Sequence, residues 1–180
     1  MPTYICFLRG INVSGQKKIK MAELKTTLEK MGLQAVVTYI QSGNILFRSD
    51  EKDVQVLEEG IKKSIQKDFA FSVPTLVRTP EMVHKILQGD PFKVTAEPKN
   101  RYFTLLHSEP LKVQIEEFKG LSFSSEDFHY TKDCVYLNCK QGAGRAKLNN
   151  NLIEKKLEVL ATTRNLNTMN KMLALSEAIN

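Results

Sequence analysis

The sequence lacks the features that mark several large classes of protein. It holds three cysteines, Cys6, Cys134 and Cys139, and no C-x-x-C pair. An odd number with this spacing argues against a disulfide framework and against a zinc site, so we expect buried free thiols and no bound metal. The early apolar run from Tyr4 to Leu8 is too short for a membrane span, and no basic segment precedes it as in a signal peptide. We therefore predict a cytoplasmic protein that does not bind membranes.

Sequence motifs of known catalytic sites are absent as well. Neither HExxH nor GxSxG occurs, and the three histidines, His84, His107 and His129, stand far apart along the chain. No spacing indicates a nucleophile beside a base, or a pair of acid–base groups. The sequence therefore leaves open whether the protein is an enzyme, and it indicates no cofactor.

Basic residues are concentrated at the two ends of the chain. The net charge is +6, and residues 1–50 and residues 140–180 each hold seven basic and three acidic side chains. Charge of one sign attracts ligands of the other sign but does not specify a fold. The hydrophobic content of 42% is enough for packed cores. We therefore expect a folded protein that carries basic surfaces.

Apolar periodicity predicts the same order of elements twice, β-α-β-β-α-β. The predicted strands are 3–8, 35–40, 45–48 and 73–77 in the first copy, and 101–106, 121–130, 134–139 and 159–163 in the second. Helices fill the gaps, with Asp50 as the expected cap of the second helix. We predict an α+β fold of two tandem ferredoxin-like plaits that arose by internal duplication. The domains are residues 1–78, a linking helix and linker at 79–100, and residues 101–180 with a C-terminal helix at 168–178.

The first strand of each copy is apolar on both faces. In the first copy Ile5 and Phe7 lie on the side opposite to Tyr4, Cys6 and Leu8. In the second copy Phe103 and Leu105 lie opposite to Tyr102, Thr104 and Leu106. A sheet with one face in water alternates more regularly between apolar and polar residues. We therefore expect part of the second face of each sheet to be covered, and the other copy is one candidate for the cover.

The predicted topology brings two polar segments of the first copy together. In this plait the loop after the first strand and the turn between the second and third strands lie at the same end of the sheet, and the first and third strands are neighbours. The candidate site consists of Arg9, Gly10, Asn12, Ser42, Gly43 and Asn44. Arginine supplies a planar cation, glycine permits close approach, and the neutral side chains can form hydrogen bonds. The alternative is a loop and a turn that only stabilise each other.

The second copy has a different basic loop, which follows its third strand. It contains a G-x-G pattern without the third glycine of a nucleotide fingerprint, so the pattern alone is weak. Because the last strand of the copy ends at the same edge, Arg145, Lys147, Arg164 and Asn165 are a second candidate anion site. A basic loop beside a helix cap is the alternative. Specific RNA binding is not favoured, since Tyr4 and Phe7 point to opposite faces of the strand on which a recognition platform needs them together.

Three strings, RGINV, QSGN and TTRN, occur in this order and carry a family resemblance. Together with their flanking residues they are similar to the uncharacterised bacterial family known as domain of unknown function 1697. The resemblance implies two ferredoxin-like plaits in one cytosolic chain, and it implies no activity. Ser14 departs from the family pattern, in which a glycine precedes Gly15. The positions that match the family are Arg9, Gly10, Asn12, Met21, Tyr39, Ser42, Gly43, Asn44, Lys147, Thr163, Arg164 and Asn165.

The leading hypothesis from the sequence is the binding of a small phosphate- or carboxylate-bearing ligand at these loops. Arg9 would hold the anion, and Asn12, Ser42 and Asn44 would orient it. Two alternatives stay open: an enzyme that acts on such a ligand, and a module that binds protein or nucleic acid. The sequence leaves the oligomeric state undetermined, and it does not say whether the two basic groups form one site.

Overall fold

The computed structural model describes residues 1–179, and its first half has the predicted order of elements. They are β1 (Thr3–Leu8), α1 (Met21–Lys30), β2 (Gln34–Tyr39), β3 (Asn44–Arg48), α2 (Val54–Phe69), β4 (Thr75–Arg78) and α3 (Pro80–Gln88). Leu24 and Leu28 of α1 and Ile61 and Ile65 of α2 are fully buried against the sheet, which is the helical spacing seen in the sequence.

The second half repeats this order. Its elements are β5 (Arg101–Leu106), α4 (Lys112–Lys119), β6 (Glu126–Tyr130), β7 (Cys134–Cys139), α5 (Asn150–Leu157), β8 (Ala161–Asn165) and α6 (Leu166–Ala178), with short 3₁₀ turns before β5 and after β7. Phe118, Ile153 and Leu157 are the fully buried anchors of α4 and α5. Residues 1–179 thus form a mixed α+β fold with six α-helices.

Each half contains one four-stranded antiparallel sheet. The strand orders are β2-β3-β1-β4 and β6-β7-β5-β8. The central strands correspond in register, since Cys6 pairs with Ile45 in the first sheet and Thr104 pairs with Val135 in the second. The edge strands are therefore β2 and β4 in one sheet, and β6 and β8 in the other.

The compact units of the chain differ from the predicted domains at the C-terminus. One unit contains Met1–His84 together with the chain from Lys171 onward, and the other contains Lys85–Asn170. The prediction placed the whole C-terminal helix in the second domain. In the structure α6 is one continuous helix that crosses the boundary between the units, and α3 crosses it as well. Domain boundaries that are predicted from a proline-rich linker cannot locate these boundaries, because both of them fall inside a helix.

Three further details of the prediction are wrong. The strand predicted at 121–130 begins only at Glu126, so β6 is half as long as expected. The cap of α2 is Asp53, whose carboxylate accepts a hydrogen bond from the Gln55 N–H at 2.8 Å, and not Asp50. The last strand of each copy begins two residues later than predicted. Val73 and Val159 pack against the cores before the strands begin, so apolar character overestimated the extent of strand pairing.

Part of the second face of each sheet is buried, as the sequence predicts. Ile5 and Phe7 in β1, and Phe103 and Leu105 in β5, have no exposed surface. All three cysteines are free and buried. In the described part of the chain, no helix has the length and apolar character needed to cross a membrane.

Candidate functional site

The two polar segments predicted to meet in the first unit are neighbours in the structure. The Leu8 N–H donates to the Gly43 carbonyl at 2.8 Å, which joins the end of β1 to the turn between β2 and β3. The Asn12 side chain donates to the Gln41 carbonyl, also at 2.8 Å. The loop after β1 and the turn at 41–44 are thus bound directly to each other.

Gly43 is needed where this turn packs against the end of β1. Its φ is +78°, in the left-handed region that side chains rarely adopt. A Cβ atom at this position would lie 2.6 Å from the Leu8 Cβ and 3.0 Å from the Ile11 Cδ1. Both contacts are closer than van der Waals packing allows, so the turn lies against β1 only because the residue is glycine.

Asn12 is a structural clamp within the loop. Its Oδ1 accepts from the Ile19 N–H at 2.9 Å, and its Nδ2 donates to the Ile19 carbonyl at 3.0 Å in addition to Gln41. Because both donors and the acceptor of the amide are occupied by main chain, Asn12 holds the loop in place. The sequence-based hypothesis gave it the role of orienting a ligand, and the geometry favours the structural alternative instead.

Asn44 and Ser42 have a similar role in the turn. Asn44 is fully buried, and its Nδ2 donates to the Tyr39 carbonyl at 3.1 Å and to the Ser42 Oγ at 2.9 Å. Arg9 lies at the start of the loop, with its N–H bonded to the Pro74 carbonyl at 3.0 Å and its side chain half-buried. Arg9 is the one residue of this predicted group with a charged side chain.

An open cleft of about 700 Å³ lies between this loop and the start of α1. Lys18, Lys20, Glu23 and Gln41 contribute to its lining, and the Asn12 clamp forms part of its wall. The helix begins after Lys20, which makes no side-chain cap, so the first N–H groups of α1 have no cap from that residue. The lysines and the helix N-terminus both favour an anion in the cleft.

One acidic residue limits this positive field. Lys20 forms an exposed ion pair with Glu23 at 3.4 Å. Lys17 is directed elsewhere, because its Nζ donates to the Ser72 carbonyl at 2.9 Å. The sequence indicated the lysines before the helix, but it did not separate Lys17 from Lys18 and Lys20 or identify Glu23 as a competitor.

The second predicted group is divided by the register of β8. Tyr102 of β5 pairs with both Leu137 and Asn165, so the C-terminal ends of β7 and β8 lie at the same end of the sheet. Asn165, however, caps α6, since its Oδ1 accepts from the Thr168 N–H at 2.8 Å. The side chains of Arg164 and Asn165 lie on opposite faces of the sheet, because successive residues of a strand alternate between the two faces.

The other two members of that group lie in the loop after β7. Arg145 ends a 3₁₀ turn and Lys147 follows it, and both are exposed. The Lys147 N–H donates to the Glu126 carboxylate at 2.9 Å, which ties the loop to β6. Arg145 and Lys147 thus lie in a loop beyond the sheet, whereas Arg164 and Asn165 belong to β8 and their side chains lie on opposite faces of it.

The groups with the most strongly raised pKa lie in the second sheet. Burial raises the pKa of the Cys134 thiol well above its usual value, and burial raises the pKa of Cys139 to about 11. The pKa of Tyr136 is raised in the same way, mainly by burial. Such shifts keep the groups protonated in the core and do not indicate a nucleophile. Within residues 1–179, no cluster of three histidine, cysteine or acidic residues has the arrangement of a metal site.

Comparison with known proteins places the chain in a family. The family described as "Protein of unknown function (DUF1697)" matches residues 1–136, which include the RGINV and QSGN strings. One similar solved structure is a conserved bacterial protein, SP0830, from Streptococcus pneumoniae, with 24% identity and a TM-score of 0.73. The match covers 97% of this chain and 98% of that one. Among proteins with curated descriptions, none shows significant similarity to the chain. The family match spans well over half of the sequence, and the chain belongs to the DUF1697 family.

Proposed function

We propose that the cleft at the start of α1 binds a small ligand that carries a phosphate or carboxylate group. The observation that carries this proposal is the open cleft of about 700 Å³, in which Lys18 and Lys20 lie beside a helix N-terminus that has no side-chain cap. Two ammonium groups and the free N–H groups of a first helical turn are complementary to a planar or tetrahedral anion.

The wall of the cleft is suited to hold these groups in place before a ligand arrives. Asn12 forms two hydrogen bonds with Ile19 inside the loop and one with the Gln41 carbonyl of the turn, so the same side chain fixes the loop and holds it to the turn. Asn12, Ser14 and Lys17 have left-handed φ values of 56°, 49° and 45°, a strained backbone that is often found at binding sites. A prearranged site loses less free energy on binding, because its groups are already ordered.

The roles of the predicted residues change accordingly. Lys18 and Lys20 are the anion-binding groups, whereas Arg9, the expected anion-binding residue, is not part of the lining of the cleft. Asn12, Ser42, Gly43 and Asn44 support the wall. We place the second basic group outside this site, since the lining of the cleft includes none of its four members.

The finer description of the fold is also a proposal. We infer that each half is a ferredoxin-like plait produced by internal duplication, which the matching strand orders and registers support. Three buried free thiols favour a reducing compartment, and we propose a bacterial cytoplasmic protein.

Thermal unfolding with added anions tests the proposed site. Inorganic phosphate, ATP and citrate are the probes, each compared with chloride at equal ionic strength. We expect at least one probe to raise the melting temperature of the wild type in a concentration-dependent manner. The double variant Lys18→Ala/Lys20→Ala should lose most of that increase.

Lys17→Ala is the control for a loss of positive charge from the same loop, because it removes one ammonium group whose partner is the Ser72 carbonyl. It should keep the response of the wild type. Glu23→Gln removes the competing carboxylate and should strengthen binding by about threefold. The proposal fails if none of the three probes stabilises the wild type, or if Lys17→Ala reduces the response as much as the double variant.

A further inference from the structure

Side chains or irregular backbone protect three of the four sheet edges. In β4, the outward N–H of Val77 donates to the Glu58 carboxylate at 2.8 Å, and its carbonyl accepts from Arg78. In β8, the Ala161 N–H donates to the Glu154 carboxylate at 2.9 Å, and the Ala161 carbonyl accepts from Asn150. Protection of this kind prevents an edge strand from pairing with another chain.

The third edge, β2, is distorted. Its pairing with β3 shifts between Gln34 and Val37, which marks a bulge. Ala35 within this bulge has a left-handed φ of 49°. A bulge turns the main-chain groups of an edge away from the line that an added strand would need, so β2 is also protected.

Among residues 1–179, none of these devices occurs at the fourth edge, β6. Its register with β7 is regular over all five residues, from Glu126 to Tyr130. The Lys140 N–H donates to the Ser125 carbonyl, and the Thr131 N–H donates to the Cys134 carbonyl, so the odd-numbered residues face β7. The main-chain groups of Glu126, Phe128 and Tyr130 therefore point outward from the sheet.

A groove of about 490 Å³ runs along this edge. Its lining includes all five residues of β6, together with Leu121 and Phe123 from the segment before the strand. Because successive residues alternate between the two faces, a groove that touches all five lies along the edge and not on one face. Within the described chain, the Tyr130 hydroxyl at this edge has no hydrogen-bond partner.

The sequence of β6 is complementary to itself when two copies run antiparallel. A two-fold axis at Phe128 would place the two Phe128 residues opposite each other, and Asp127 of one protomer opposite His129 of its partner, twice. His129 is exposed. The Asp127 carboxylate accepts from Asn138 and Lys140 on its own sheet, which leaves further lone pairs for an imidazole.

We propose that β6 is a homodimer interface, at which β6 of a second copy of this chain adds antiparallel and joins two four-stranded sheets into one. The outward N–H and C=O groups of Glu126, Phe128 and Tyr130 would form about six main-chain hydrogen bonds with the partner strand. Such an interface is isologous, since both copies use the same surface. The Asp127–His129 pairs fix the register, because a shift by one residue would bring groups of opposite faces together.

A matched pair of variants at the exposed His129 tests this interface. His129→Glu places two like-charged pairs across the axis and should weaken the dimer by at least about tenfold, as measured by analytical ultracentrifugation over a wide range of concentrations. His129→Lys keeps opposite charges at both pairs and should leave the dimer as strong as in the wild type or stronger. Far-UV circular dichroism and thermal unfolding verify that each variant is folded.

Mixing provides a second test that does not rely on loss of association. Asp127→Lys alone should also dimerise more weakly than the wild type, whereas an equimolar mixture of Asp127→Lys and His129→Glu should form a tighter heterodimer, because lysine then opposes glutamate. A wild type that is monomeric at every concentration overturns the proposal. A dimer that His129→Glu and His129→Lys change equally, or a mixture that stays monomeric although both variants are folded, overturns it as well.

Discussion

Replacing Gly43 by alanine tests the packing on which the candidate site depends. The new Cβ would lie 2.6 Å from the Leu8 Cβ, an atom fixed to the backbone of a buried strand, and 3.0 Å from the Ile11 Cδ1. Overpacking of this kind costs about 1–3 kcal/mol. The left-handed φ of +78° costs a further 1–2 kcal/mol, on the order of the usual penalty for a residue with a Cβ. We expect the free energy of unfolding to fall by about 2–5 kcal/mol.

Gly10→Ala is the matched control in the same loop region. Gly10 has a φ of +71°, but a Cβ there would meet nothing within 4 Å. It should show only the left-handed penalty of about 1–2 kcal/mol. Urea unfolding followed by far-UV circular dichroism suits this protein, which has no tryptophan. Equal losses for the two variants would show that the turn does not lie against β1, and the basis for the cleft would be lost.

Three further predictions concern other parts of the chain. The buried guanidinium of Arg101 donates through its Nε to the Asp90 carboxylate at 2.7 Å. Asp90→Ala leaves this charge without a partner and should lower the free energy of unfolding, measured in urea, by about 3–5 kcal/mol. Burial raises the pKa of Cys139 from 9.0 to about 11, so the unfolded state loses its proton first and stability should fall as pH rises between these values. Cys139→Ala should flatten this decline in alkaline unfolding curves. Asn12→Ala should cost about 1–3 kcal/mol in the same urea assay, because it leaves the Ile19 N–H and two carbonyls without their partner.

Each of these predictions has a comparison that can contradict it. Glu97→Ala breaks an ion pair of 2.9 Å with Lys99 whose side chains are well exposed, and it should cost less than about 1 kcal/mol. An equally small loss for Asp90→Ala would refute the buried pair. A Cys139→Ala curve parallel to the wild type above pH 9 would contradict the thiol pKa. Asn12→Asp keeps the acceptor for the Ile19 N–H but sets a carboxylate oxygen against the Ile19 and Gln41 carbonyls, so it should lose at least as much stability as Asn12→Ala.

The order of elements could be predicted from the sequence because it depends on local periodicity. The spacing of apolar residues is sufficient to predict the buried faces of α1 and α2, the strand β1, and the bounds of β5 and β7. The adjacency of the loop after β1 and the turn at 41–44 could be predicted too, since it follows from topology alone. The start of β4 could not, because Val73 is equally apolar whether it pairs in a strand or only packs against a core.

The chemical roles of polar residues were harder to predict. Asn12 and Asn44 have the same side chain as a ligand-binding asparagine, and only the occupied hydrogen bonds identify them as supports. Likewise, sequence placed Arg164 and Asn165 together, whereas strand alternation separates them. The continuity of α6 across the two units also left no signal in composition, since a helix boundary needs a cap or a break and none occurs at Lys171.

The glutamates at the edges of β4 and β8 have a consequence for the behaviour of concentrated solutions. Fibres grow by strand addition only when every subunit has two sheet edges that are free to pair with another strand. Glu58 and Glu154 each accept a hydrogen bond from an outward main-chain N–H at one edge of their sheet, and the bulge in β2 prevents pairing at a third edge. If β6 is the one edge of each chain that can pair, strand addition joins two chains and leaves no edge for a third. The fold itself would then limit polymer growth.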